Sequence, residues 1–241
     1  MSCLEELLEI EEQSIEAVKS TMRDLKNYLE DNGRTSMLPF LDAYLKITEG
    51  VIEQKNKGYF EEPEKLVKLD VRFAELYFKA VRLYIEKGEK KQPWSTYFNY
   101  IERNDSKPIL ELLLGINAHI NSDLTQVLYE QSYHNKEDFK KVNKILRKSL
   151  YPVIANIGFE RKDFESIALM SVPPVPMAGL KTIQDWRSLS LKNSKKREFE
   201  VTKLRKLTEN NAEDLIELRH DYTARALVRK PFKALNTGVK L

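Results

Sequence analysis

An imidazole and a carboxylate one helical turn apart can orient a proton or share a metal ion. The segment LLLGINAHINSDL at 112–124 holds such a pair, His119 and Asp123. With Ile109 as origin and about 100° per residue, Leu112, Leu113, Ile116, Ile120, Leu124 and Val127 form one apolar face. Asp123 falls at about 320°, between the Leu112 and Ile116 directions, so a carboxylate stands inside the packing stripe. Buried there, it must find a partner or give up its charge. His119 is on its side of the helix, while Asn117 and Asn121 make a second i,i+4 pair on the other flank.

A weaker version of the anomaly occurs at Asp70, which falls between Tyr77 and Val81 on the apolar side of LDVRFAELYFKAV. Asp70 either points inward or serves the first turn of a helix that starts near it. Tyr44 and Thr48 bring hydroxyls toward the interior at one-turn spacing, and Tyr77 adds another.

Three readings of this constellation stay open. His119 and Asp123 form a polar clamp between helices, or belong to a catalytic or metal site, or line the wet rim of a ligand cleft. In the chemical reading, Asp70, His119 and Asp123 are the catalytic residues and the shell of one divalent metal ion. The ion would activate water for hydrolysis of a small molecule. Asn117, Asn121, Tyr44 and Tyr77 would bind that molecule. Without a metal, His119 oriented by Asp123 could act as a general base. Ser122 points about 100° away from its neighbour Asp123, which argues against a local Ser-His-Asp triad. In the non-enzymatic alternative the polar centre is structural, in a helical scaffold or small-ligand-binding protein.

Other signatures are absent. The chain has no G-x-G-x-x-G, no GxxxxGK[ST] and no HExxH. EQSYH at 130–134 does not supply the repeated ExxH of two-iron bundles. Cys3 is the sole cysteine, which excludes an internal disulfide. Basic clusters at 192–197, 204–206 and 225–233 come without any specific nucleic-acid motif. The net charge of +3 implies little about partners.

The elements that must position these residues read as helices. Hydrophobic residues make up 41% and charged residues 32%, a balance typical of a folded helical protein rather than a disordered one. No apolar run is long enough to span a membrane. The acidic start MSCLEELLEIEEQ is unlike a secretory leader, so cytoplasmic residence is expected. Periodicity predicts helices over about residues 3–31, from Leu38, and over about 63–85. A longer one carries 112–124 and reaches about 129–133, with Gly115 permitting close approach by a helix or ligand. Asn135 with Asp138 marks a cap for the next helix, which Pro152 could kink and Gly158 ends. SVPPVPMAG at 171–179 reads as a loop or linker before the C-terminal helices.

LLLGINAHINSDL, preceded by LDVRFAELYF and by Trp94, resembles an uncharacterised, mainly helical family with an internal N-A-H-I-N-x-D-L signature. The resemblance spans roughly residues 35–160. It implies a shared polar centre of Asn117, His119, Asn121 and Asp123 flanked by Asp70 and Trp94, and it supplies no activity. The expectation is an all-α fold, a single multi-helix bundle over 1–241 with about seven to nine helices and its core at 35–160.

Overall fold

A computed structural model of the protein describes residues 3–10, 12–160, 174–195 and 208–216. The fold is an all-helical bundle with no strand among the described residues. In place of one helix over 3–31 there are two, α1 (Cys3–Leu7) and α2 (Ile15–Asp31). The division occurs at Ser14, whose hydroxyl accepts from Ala17 N at 3.1 Å and satisfies a donor at the start of α2. Val18, Met22, Leu25 and Leu29 are the buried stripe of α2. Gly33 follows its end with φ of +66°, a conformation glycine adopts without strain.

A 3₁₀ turn (Thr35–Met37) leads into α3 (Leu38–Asn56), and Pro63 opens α4 (Pro63–Lys87) at a position where its missing N–H costs nothing. Because α4 starts there, Asp70 lies two turns inside it and does not serve its first turn. After α5 (Ser95–Ile101), α6 (Pro108–Ala118) runs into a π turn (His119–Leu124) and α7 (Thr125–Glu130). The chain then forms α8 (Lys136–Glu160), in which the helix continues past both Pro152 and Gly158. The proline-rich stretch stands where a late helix begins. Residues 171–173 lie outside the described set, and Pro174 opens α9 (Pro174–Asn193). A short helix, α10, covers 208–216.

The N-terminus of α8 is built as its sequence suggests, with one addition. Asn135 Oδ1 accepts from Glu137 N and Asp138 N at 3.0 and 2.9 Å. Asp138 does not turn back to its own helix end. Its carboxylate accepts from Glu61 N at 2.9 Å and Glu62 N at 2.8 Å, capping α4 from another element. Fully buried, it also meets Lys141 Nζ at 3.3 Å.

One connected set of buried apolar side chains runs from Leu4 on α1 to Leu215 on α10. Two glycines set the spacing around α3. A Cβ on Gly115 of α6 would stand 2.6 Å from the Phe40 ring, and one on Gly50 would stand 2.7 Å from Ile145 Cγ2 on α8. Those approaches bring α6 and α8 against α3, which forms one wall of the central cavity.

Candidate functional site

The six-residue π turn at 119–124 is where the regular winding of α6 gives way. Such turns leave main-chain groups without their usual helical partners and frequently occur at functional sites. Here side chains take up two carbonyls. Thr125 Oγ1 donates to Asn121 O at 3.1 Å, and Ser190 Oγ on α9 lies 2.7 Å from Ile120 O. The Ser190 contact also ties α9 to the turn. On the opposite flank Asn121 Nδ2 donates to Asn117 Oδ1 at 2.8 Å, and Asn117 Nδ2 donates to Thr208 O at 2.8 Å, fastening α10.

Asp123 and His119 meet through Oδ2 and Nδ1 at 3.1 Å. Trp94 Nε1, at the head of α5, donates to the same Oδ2 at 3.0 Å. The imidazole lies flat on Phe73, 3.5 Å between centroids at 9°, with Tyr44 at 4.6 Å and Phe40 edge-on at 5.5 Å. Burial pushes the Asp123 carboxyl up to about 8, against the Trp94 hydrogen bond and the Arg72 charge. Burial holds the His119 imidazole well below its usual range, and the Arg187 charge lowers it further. At neutral pH the pair is therefore an uncharged acid and an uncharged ring. With the proton on Oδ2 donated to Nδ1, the ring hydrogen stands on Nε2. His119 Nε2 has no partner among the described residues.

His119 borders an apolar cavity of about 70 Å³ between α3, α4, the π turn, α8 and α9. Phe40, Val51, Leu66, Leu146 and Ile183 are among its apolar walls. Five polar residues interrupt them: Tyr44, Asp70, His119, Tyr133 and Arg187. The Tyr44 and Tyr133 hydroxyls and Asp70 Oδ2 are buried and unpartnered, like His119 Nε2. Burial pushes the Asp70 carboxyl up to about 7, partly offset by the Arg187 charge. Arg187 is 7% exposed. Its Nε donates to Asn143 Oδ1 at 2.6 Å, and its guanidinium lies 4.5 Å over Phe139. Burial lowers its pKa to about 10, leaving the group charged at neutral pH. Asp123 and Trp94 instead border a second cleft of about 260 Å³, with Gln92, Pro93 and Ser122.

The family of unknown function DUF5995 matches residues 15–229. The chain belongs to this family. No curated protein and no solved structure matches it. The match to DUF5995 extends on both sides of the 35–160 region in which the resemblance was read from sequence. It carries the family's mainly helical character without singling out any motif.

In this DUF5995 chain the expected metal centre is corrected. Among the described residues no group of three or more His, Cys, Asp or Glu is placed to hold a metal ion, so Asp70, His119 and Asp123 do not form the anticipated divalent-ion shell. The reason lies in where the groups face. Asp70 and His119 border the inner cavity, whereas Asp123 borders the other cleft and has Oδ2 engaged by both Trp94 and His119. Of the anticipated ligand-binding residues, Tyr44 lines the cavity. Tyr77 packs edge-on to Phe40 with its hydroxyl unpartnered, and Asn117 and Asn121 border neither space. No helix among the described residues is long and apolar enough to cross a membrane.

Two participants escaped the sequence reading, and a third, Trp94, entered it only through the resemblance as a flank of the polar centre, although its indole N–H can act as a donor to a buried acid. Tyr133 sits at the end of the long helical pattern. Arg187 had the clearest signal: Ile183, Trp186, Arg187 and Ser190 follow i, i+3, i+4, i+7 spacing, so a cation stands in an inward stripe just as Asp123 does. All of the lysines and arginines from 196 onward lie outside the described residues, as does His220.

Proposed function

We propose that this protein binds a small, mainly apolar molecule in the cavity between α3, α4, α8 and α9, and that the Trp94–Asp123–His119 cluster is the structural clamp shaping its wall. The reading rests on one observation. Four buried polar atoms, Tyr44 Oη, Asp70 Oδ2, His119 Nε2 and Tyr133 Oη, belong to residues lining one apolar cavity and have no partner among the described residues. Buried polar groups are ordinarily satisfied, and a few convergent polar groups in an apolar pocket are the usual composition of a ligand site. The clamp has the opposite character, because Asp123 is already engaged from two directions.

Binding is favoured over catalysis by what the cavity lacks. Among its described lining residues there is no serine, threonine or cysteine to act as a nucleophile. His119 presents Nε2 as an acceptor only when Nδ1 carries the ring hydrogen, and burial, which holds its pKa well below the usual range, makes it a weak base.

The test is an NMR titration of the full chain with small aliphatic and aromatic probes, following the rings of His119, Tyr44 and Tyr133. Saturable shifts confined to cavity residues are expected. Ala43→Phe, which places a ring in the cavity wall, should abolish them while the helical circular dichroism is retained. Absence of saturable shifts with every probe in the folded wild-type chain would leave only the scaffold role.

A further inference from the structure

We infer that the cavity selects a small apolar monocarboxylate, held by the Arg187 guanidinium. This rests on the ligand-binding reading above and names the chemical class of its occupant. A charged guanidinium is expensive to bury unless an anion compensates it. Arg187 is buried and borders the cavity, yet no carboxylate lies within ion-pair distance of it among the described residues. Its two described contacts are neutral, and Asp70, which shares the cavity, acts on it from beyond ion-pair distance. Asn143 supplies one neutral acceptor to Nε, and the Phe139 face supplies a cation–π contact. The terminal nitrogens form the fork that matches a carboxylate in bidentate fashion.

The other polar groups on the wall suit the same head group. The Tyr44 and Tyr133 hydroxyls can each donate to a carboxylate oxygen, and both lack protein acceptors. Asp70 is the one group that would favour an amine. It differs from Arg187 in being able to discharge itself: an acid next to a bound carboxylate takes up a proton and becomes a donor, whereas a guanidinium keeps its charge. An anionic ligand therefore compensates the Arg187 charge while Asp70 can neutralise itself. An amine would leave Arg187 facing a second cation. The rest of the lining is hydrocarbon and aromatic, which selects an apolar body and disfavours a second charge.

Hexanoate, 1-hexanol and hexylamine share one chain and differ only in head group, so calorimetric titration of the full chain with the three isolates this choice. Hexanoate is expected to bind roughly tenfold or more tightly than 1-hexanol, the margin of one charge-assisted hydrogen bond, and hexylamine most weakly. In Arg187→Met the margin between hexanoate and 1-hexanol should vanish while 1-hexanol binding persists. Arg187→Lys, which retains charge and loses the fork, should keep part of it and serves as the comparison if the methionine variant does not fold. Equal or tighter binding of 1-hexanol or hexylamine in the wild-type protein overturns the carboxylate assignment and leaves ligand binding standing. Saturable binding of other apolar probes with none of these three also overturns it. Failure of all probes removes both conclusions.

Discussion

Asp138 and Asp70 are two inward carboxylates in one bundle, and their surroundings are opposite. Asp138 receives two backbone N–H groups and an ammonium, so every lone pair that matters has a donor. Asp70 Oδ2 has no hydrogen-bond partner among the described residues, and the Arg187 charge acts on it without an ion pair. The first carboxylate holds two segments together across the chain. The second gives the fold nothing comparable, and its exposure to a cavity is the kind of local sacrifice that binding sites contain. Asp123 stands between these extremes, satisfied by Trp94 and His119 but stripped of water.

That contrast can be broken experimentally, beginning with Asp138. Asp138→Ala should lower the unfolding free energy by about 3 kcal/mol, since it strands two buried N–H donors that had a charged acceptor. Urea midpoints would measure this, and a loss under about 1 kcal/mol would show that water replaces the cap without penalty.

Asp123 offers the next largest effect, read through pH. Its folded pKa, about 8, lies above the unfolded value, so the native state keeps a proton that the unfolded chain releases. Stability from this group is full at low pH and is lost as pH rises from about 4 through about 8. His119 runs the other way: its lowered pKa costs stability as pH falls below about 6.5, where only the unfolded chain protonates. The interval from about 6.5 to 8 therefore isolates the acids. Wild-type stability should fall there by about 1–2 kcal/mol, and Asp123→Asn should flatten that fall. An unchanged slope in the variant would place the titrating group elsewhere.

Asp70→Asn should act in the opposite sense to Asp138→Ala. The amide removes a charge that Arg187 only partly offsets, so the variant should be more stable than wild type at pH 8 by on the order of 1 kcal/mol and little different near pH 4. Destabilisation at pH 8 would reveal that Asp70 supports the fold as Asp138 does. Smallest of all, Tyr44→Phe and Tyr133→Phe should each change stability by less than about 0.5 kcal/mol, because the deleted hydroxyls make no protein hydrogen bond. A loss above about 1 kcal/mol in thermal melts would show a satisfied hydroxyl and weaken the case for a ligand pocket.

How much of this was legible in the sequence depends on the distance over which the information acts. The inward phase of Asp123 and its approach to His119 are local, and four-residue spacing conveyed both. The Asn135 cap was local too. The break at Ser14 was readable from its residue type but was overridden by the continuous amphipathic pattern around it. Trp94 meeting Asp123, Asp138 capping α4, and Arg187 sharing a cavity with Asp70 all depend on how helices pack. No periodicity within one segment contains that information. The metal expectation failed for the same reason, since angular phase says that an acid points inward without saying which interior space it faces.

The π turn also failed to show in the pattern, because a constant angle per residue assumes uniform winding. It has a consequence for how this protein can change over generations. Wider winding takes an extra residue into the rod between α6 and α7 without turning α7 about its axis. Loss of one residue within 119–124 would let ordinary winding resume with Val127 and Leu128 still facing the core, whereas the same loss within α7 would turn them out of it. Lineages carrying this fold should therefore accept a change of length at the turn more readily than one in the helices on either side.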